Sequence, residues 1–175
     1  MRFLRAHGHF LLKRLYKKIP FANDANLSPE EYNYLSNTTY NNDEGWQQIA
    51  ADFQFAYDNL PVKQADKGRP AKAAAAAYLA KTYLYKAYHQ DNADSHEVTS
   101  LSTEDLVKVV QYTDNAIMSA GGYGLESDFH NNFRPEPQYE NGVESLWAMQ
   151  YSMNDGTNNG NCNWSYGLIV PNIPG

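Results

Sequence analysis

A single cysteine, Cys162, stands in 175 residues. A disulfide within the chain needs two and a thiolate metal cluster needs more, so both are excluded. Long hydrophobic runs are missing too, since no stretch approaches the roughly 18 apolar residues of a membrane-spanning helix. Basic excess is also lacking. Lys and Arg number 14 against 20 Asp and Glu, for a net charge of -6. Nucleic-acid affinity rests largely on Lys and Arg against phosphates, so this balance argues against such a partner.

Catalytic signatures are equally scarce. His96-Glu97-Val98-Thr99-Ser100 begins like a zinc-protease helix motif but has Ser where the second His is required. Gly122-Tyr123-Gly124 lacks the later glycine of a dinucleotide fingerprint. Cys162 has no local signature of a catalytic thiol and reads as a loop cysteine. His7 and His9, two apart on a helix, point to different faces, and His7 reads as a core or interface residue. Glu30/Glu31 and Glu104/Asp105 stand in first helical turns, where the helix dipole accounts for them. Segments 91–94 and 154–158 are oxygen-rich but miss the register of a calcium loop and read as turns. No cofactor, metal or catalytic residue is therefore expected, and the chain reads as a binding protein, not an enzyme.

What is present is helical. Apolar periodicity predicts a first helix from Arg2 to Lys18 that ends before Pro20. Its basic tail, Lys13, Arg14, Lys17 and Lys18, complements the negative end of the helix dipole and reads as a solvated face. Ser28-Pro29-Glu30-Glu31 is a capping box that opens a short helix to about Leu35. After a polar loop, Trp46, Ile49, Ala50, Phe53, Tyr57 and Leu60 form one stripe of a longer helix stopped by Pro61. The stretch 68–88, GRPAKAAAAAYLAKTYLYKAY, supplies an alanine-rich helix from Pro70 to His89 whose small side chains suit close helix packing. A polar linker, 91–100, follows. Ser102 then caps a helix with Leu106, Val109, Val110, Thr113, Ala116, Ile117 and Ala120 on its buried face, ended by Gly121-Gly122. The last two helices are expected to pair in the tetratricopeptide manner, without a clean repeat period. Fourteen tyrosines are expected mainly to fill helix interfaces.

Beyond Tyr123 the alternation of Val143, Ser145, Trp147, Met149 and Tyr151 predicts a short strand. A loop rich in Asn and Gly follows over 154–163. The expected fold is thus mostly α: helical hairpins over 1–122 and a loop-rich, partly β portion over 123–175.

Three blocks, RFLRAHGHFLLKRLYKKIPF, the alanine-rich helix, and ENGVESLWAMQYS, resemble the SusD/RagB family in family order. The resemblance implies a cell-surface glycan-binding lipoprotein of the outer membrane that passes oligosaccharides to a TonB-dependent transporter of the SusC type. It also implies that this chain matches the middle third of longer proteins. The helical pattern starts at once and the apolar loop 168–175 ends without a terminating element, so the chain reads as an internal piece. A leader and lipid anchor would then lie outside it.

The family's glycan sites are arcs of aromatics on loops, partly after the segment matched by ESLWAMQYS. Here Asn161, Asn163, Trp164 and Tyr166 supply aromatic planes for the C–H faces of a pyranose and amides for its hydroxyls. Trp164 either stacks on the sugar or packs its loop onto the helices. The alternative from a different class is an intracellular tetratricopeptide-like scaffold that binds a peptide between its helices.

Overall fold

The computed structural model of the chain describes residues 1–23, 27–91, 95–118, 121–134 and 136–150. Its described residues form five α-helices and one two-stranded hairpin: α1 (Arg2–Leu15), α2 (Pro29–Asn33), α3 (Asn42–Asn59), α4 (Lys72–Ala87), β1 (Tyr88–Gln90), β2 (Val98–Leu101) and α5 (Thr103–Ile117). The fold is mostly α, as the periodicity indicates.

Local chemistry sets the helix starts. Ser28 accepts from the Glu31 N–H while the Glu31 carboxylate accepts from the Ser28 N–H at 2.7 Å, completing the capping box of α2. Asn41 and Glu44 build the same reciprocal pair at the start of α3, both bonds at 2.9 Å. Ser102 caps α5 by accepting from the Asp105 N–H.

Aromatic contacts fix how the helices lie. Phe3 meets Phe53 and Phe10 meets Trp46, so α1 and α3 run antiparallel. Phe53 stacks on Tyr78 and Trp46 on Tyr85, so α3 and α4 are antiparallel as well. Tyr83 stacks on Tyr112 with ring planes 3° apart, and Lys86 pairs with Asp105 at 2.8 Å, which orients α4 against α5. Burial alone would raise the Asp105 carboxyl, but the Lys86 hydrogen bond and charge hold it below its ordinary value. Arg5 clamps α1 to α3 through two 2.6 Å bonds to buried Asp52.

The alanines make α4 the central element. Ala74, Ala75, Leu79 and Tyr83 join the core formed with α1 and α3. Ala73, Ala76 and Ala80, also buried, follow one another at helical spacing. Ala76 is fully buried, so Ala76→Leu should overpack its contact and lower stability by about 1–3 kcal/mol. An unchanged denaturation midpoint would contradict close packing at this face.

Four expectations need correction. The linker 91–100 is not wholly loop: Val98–Leu101 pairs antiparallel with Tyr88–Gln90, and the Ser102 N–H donates to the Ala87 carbonyl at 2.8 Å. The ends of α4 and α5 lie side by side, and the chain that rejoins them gains a backbone ladder. The strand expected over 143–151 does not form across 143–150, which is turns and irregular backbone with no alternation of burial. Among the described residues no strand pairs with it, its one backbone bond to another segment being from the Gly124 N–H to the Val143 carbonyl at 3.1 Å, and a strand needs a partner. On α5, Val110 and Ile117 are exposed, whereas Asp105 and Ala116 are the buried positions. Ala120, expected on the same face, lies outside the described residues, as does Tyr151. Lys13, finally, is not on a solvated face but only 6% exposed.

Candidate functional site

The residues anticipated as a glycan site, Asn161, Asn163, Trp164 and Tyr166, lie outside the described residues, and so does Cys162. The described residues before them end at Gln150, and their anchoring starts at Trp147. Its indole Nε1–H donates to the Gly68 carbonyl at 2.9 Å, and the ring stands edge-on to Phe3 and His7, each at 5.0 Å. His7 is thus an interface residue, as expected, and burial pushes its pKa down. His9 points elsewhere, against Phe21, and its Nε2 accepts from the Ala22 N–H at 3.3 Å. Gln150 and Asn141 exchange two side-chain bonds of 2.9 Å, tying the end of this segment to the turn before it.

Glycines shape that turn region. Gly121 could carry no side chain, because a Cβ would sit 2.3 Å from the Tyr123 ring and 3.2 Å from the Val62 carbonyl. Gly122 follows in the left-handed region at φ 75°, and Asn141 occupies the same region at φ 54°. At Gly142 a Cβ would strike the Glu126 carboxylate at 2.6 Å, the group that accepts from the Val143 N–H. The Glu144 carboxylate accepts from the Glu126 N–H at 2.8 Å, which lowers the Glu144 pKa.

Two concavities lie on either side of this loop. A polar one of about 190 Å³ is lined by Asp66, Lys67, Arg69, Tyr123, Asn141 and Ser145, among others. An apolar one of about 400 Å³ is lined by Ala116, Ile117, Leu125 and neighbours. They share Tyr123, Val143 and Leu146. Adjacent polar and apolar walls match a pyranose, which offers hydroxyls on its rim and C–H groups on its faces. Sequence reasoning passed over these residues. Gly68-Arg69 reads as a helix lead-in and Gly121-Gly122 as a helix stop, so both look like punctuation, and only the fold brings them together.

The incomplete zinc-protease spacing fails in three dimensions as well. Segment 96–100 runs into strand β2 instead of a helix, so its spacing could not place ligands on one helical face. Among the described residues, no three His, Cys, Asp or Glu side chains are grouped to hold a metal, and no helix is long and apolar enough to cross a membrane. Of the oxygen-rich turns, positions 92–94 and 154–158 fall outside the described residues.

Comparison with known proteins places this architecture. A SusD-like family model described as "starch-binding associating with outer membrane" matches residues 2–84. The SusD-like protein P2 of Formosa agariphila is 38% identical over 92 residues, covering 53% of this chain and 18% of that protein. A crystal structure determined with xylogluco-oligosaccharide is 25% identical, with a TM-score of 0.65 over 87% of this chain and 28% of its own. A SusD-like protein from Bacteroides fragilis shares the fold at 21% identity and a TM-score of 0.59, over 88% of this chain and 27% of that one. The chain therefore spans between 18% and 28% of the length of these relatives. The segment matched by the family model holds RFLRA, whose Phe3, Arg5 and Ala6 lock α1 onto the neighbouring helices, together with most of the alanine-rich helix at the centre of the fold. The chain thus resembles SusD-like proteins, in sequence over its helical part, residues 2–84, and in fold over most of its length.

Proposed function

We propose that this protein binds oligosaccharides at a loop surface carried on its helices, and delivers them to a TonB-dependent outer-membrane transporter of the SusC type. The binding involves no chemistry on the glycan. The observation that carries this reading is the likeness to a structure determined with xylogluco-oligosaccharide, which extends over most of this chain. The paired polar and apolar concavities around Tyr123 add a surface of fitting chemistry. The family description, with its outer-membrane association, supports a place at the cell surface. Peptide binding between helices finds less support, because the described faces among α1, α3 and α4 are filled by Phe3, Phe10, Phe53 and Tyr78.

On this reading Trp164 supplies a stacking plane, Tyr166 a second plane or hydroxyl, and Asn161 and Asn163 bond sugar hydroxyls. A stacked aromatic carries much of a small interface. Trp164→Ala should weaken binding of a neutral xyloglucan oligosaccharide about thirtyfold, which is about 2 kcal/mol, measured by calorimetry on the full-length protein. Absence of binding to any oligosaccharide by the wild type would sink the proposal. Wild-type affinity in Trp164→Ala would move the site to the concavities at Tyr123. Co-purification of a TonB-dependent transporter from outer-membrane extracts tests the partner.

A further inference from the structure

A separate groove of about 350 Å³ lies where the end of α1, the start of α3 and the β hairpin meet. Its lining includes Lys13, Arg14, Lys17, Tyr85, Tyr88 and His96, and no Asp or Glu among the described residues. In a chain of net charge -6 that is a local reversal of sign.

Cations in the last turn of a helix offset its carbonyl end, which accounts for exposed Arg14. Lys17 already pairs with Asp91 at 3.6 Å. Lys13 is not explained in that way. It is buried, and its Nζ donates to two neutral acceptors, the Lys17 carbonyl at 3.0 Å and Asn42 Oδ1 at 3.1 Å. Asp43 on α3 acts on Lys13 through its charge; its Oδ2 is bonded to His89 at 3.0 Å, and its buried Oδ1 has no hydrogen-bond partner among the described residues. The fold nevertheless makes room for this ammonium. A Cβ on residue 45 would stand 3.1 Å from both Lys13 Cε and Nζ, and residue 45 is glycine. The Arg14 guanidinium faces the rings of Phe10 and Tyr85 at 5.8 Å, and among the described residues no carboxylate pairs with it. Tyr85 and Tyr88, each more than 40% exposed, add aromatic planes to the same groove.

We propose that this groove is a subsite for the carboxylate or sulfate of an acidic sugar unit, so that the protein's ligands include charged oligosaccharides. The inference rests on the glycan-binding reading above but uses a different surface. An anion there would meet two cations that, among the described residues, no carboxylate contacts directly, in a partly desolvated setting where charge pairs are strong. Burial lowers the Lys13 pKa to about 8, with Asp43 raising it and Lys17 lowering it, so a bound anion should restore it upward.

The test titrates the full-length protein with tetragalacturonate, a sulfated tetrasaccharide and neutral cellotetraose, and follows Lys13 by NMR. The acidic ligands should bind more tightly than cellotetraose, lose affinity as salt rises, and raise the Lys13 titration midpoint. Arg14→Gln, an exposed change, should weaken acidic binding about tenfold and leave cellotetraose unaffected. Equal affinity for charged and neutral ligands, or acidic binding that neither moves Lys13 nor responds to Arg14→Gln, overturns the subsite and leaves neutral glycan binding intact. Failure of every oligosaccharide while inorganic sulfate still raises the Lys13 midpoint would remove the glycan reading and keep the anion groove. The two acidic ligands separate carboxylate from sulfate as the preferred anion.

Discussion

Trp147→Ala is expected to lower the unfolding free energy by about 3 kcal/mol, at the lower end of the range for truncating a large aromatic. The side chain is only partly buried, but it closes the core, edge-on to Phe3 and His7 and 6.3 Å from Tyr78. Its indole also ties residues 143–150 to Gly68, 79 positions earlier. Trp147→Phe separates the two contributions. It retains a ring against α1 and removes the donor to Gly68, so about 1 kcal/mol should be lost, the ordinary net worth of a hydrogen bond. Chemical denaturation checks both. A Trp147→Ala midpoint within error of wild type would show that the loop packs independently of the helices. If the proposed loop site is right, loss of this anchor in residues 143–150 should also weaken glycan binding. A fall in affinity with unchanged stability would instead make Trp147 a ligand contact.

The helices are legible in the sequence because their signals are local. A stripe such as Trp46, Ile49 and Phe53 follows from spacing alone, and Ser28 with Glu31 needs only three residues. Asn41 and Glu44 make an equivalent box with an amide in place of the hydroxyl, a weaker signal in so Asn-rich a chain. The failures share a different cause. Alternation over 143–151 is a true pattern, yet a strand depends on a neighbour the fold must supply, and Trp147 packs on α1 instead. Lys13 looks solvated in the sequence because its neighbours Arg14, Lys17 and Lys18 are also basic. Its burial follows from Gly45, Asn42 and Phe21, which come together there only after α1 and α3 have packed. The loop site is similar: Arg69, Tyr123 and Asn141 come from three separate segments, so no spacing rule could have joined them.

Lys13 gives the second large expectation, a stability that rises with alkaline pH. An unfolded lysine titrates near 10.5, while burial lowers the folded group to about 8. Between those values the unfolded chain holds a proton that the folded chain has released, and stability increases with pH wherever the unfolded state binds more protons. The penalty is therefore fully present below pH 8 and is relieved progressively up to pH 10.5. A displacement of that size corresponds to about 3 kcal/mol in total. His7 and His9 do not contribute in this window, because burial lowers both from 6.5. Burial raises Tyr78 and Tyr112 instead, so ionisation of their unfolded forms opposes the gain as pH approaches 10. Measurements from about pH 7.5 to about pH 9.5 thus isolate the lysine. Wild type should gain about 1–2 kcal/mol across that range, and Lys13→Met should show no gain. At the low end of the range Lys13→Met should match or exceed wild type, since an apolar side chain of similar length removes a buried charge whose hydrogen bonds go to neutral acceptors. A flat wild-type profile would mean that the ammonium is solvated in the folded protein, and the anion groove would then lose the buried cation on which it depends.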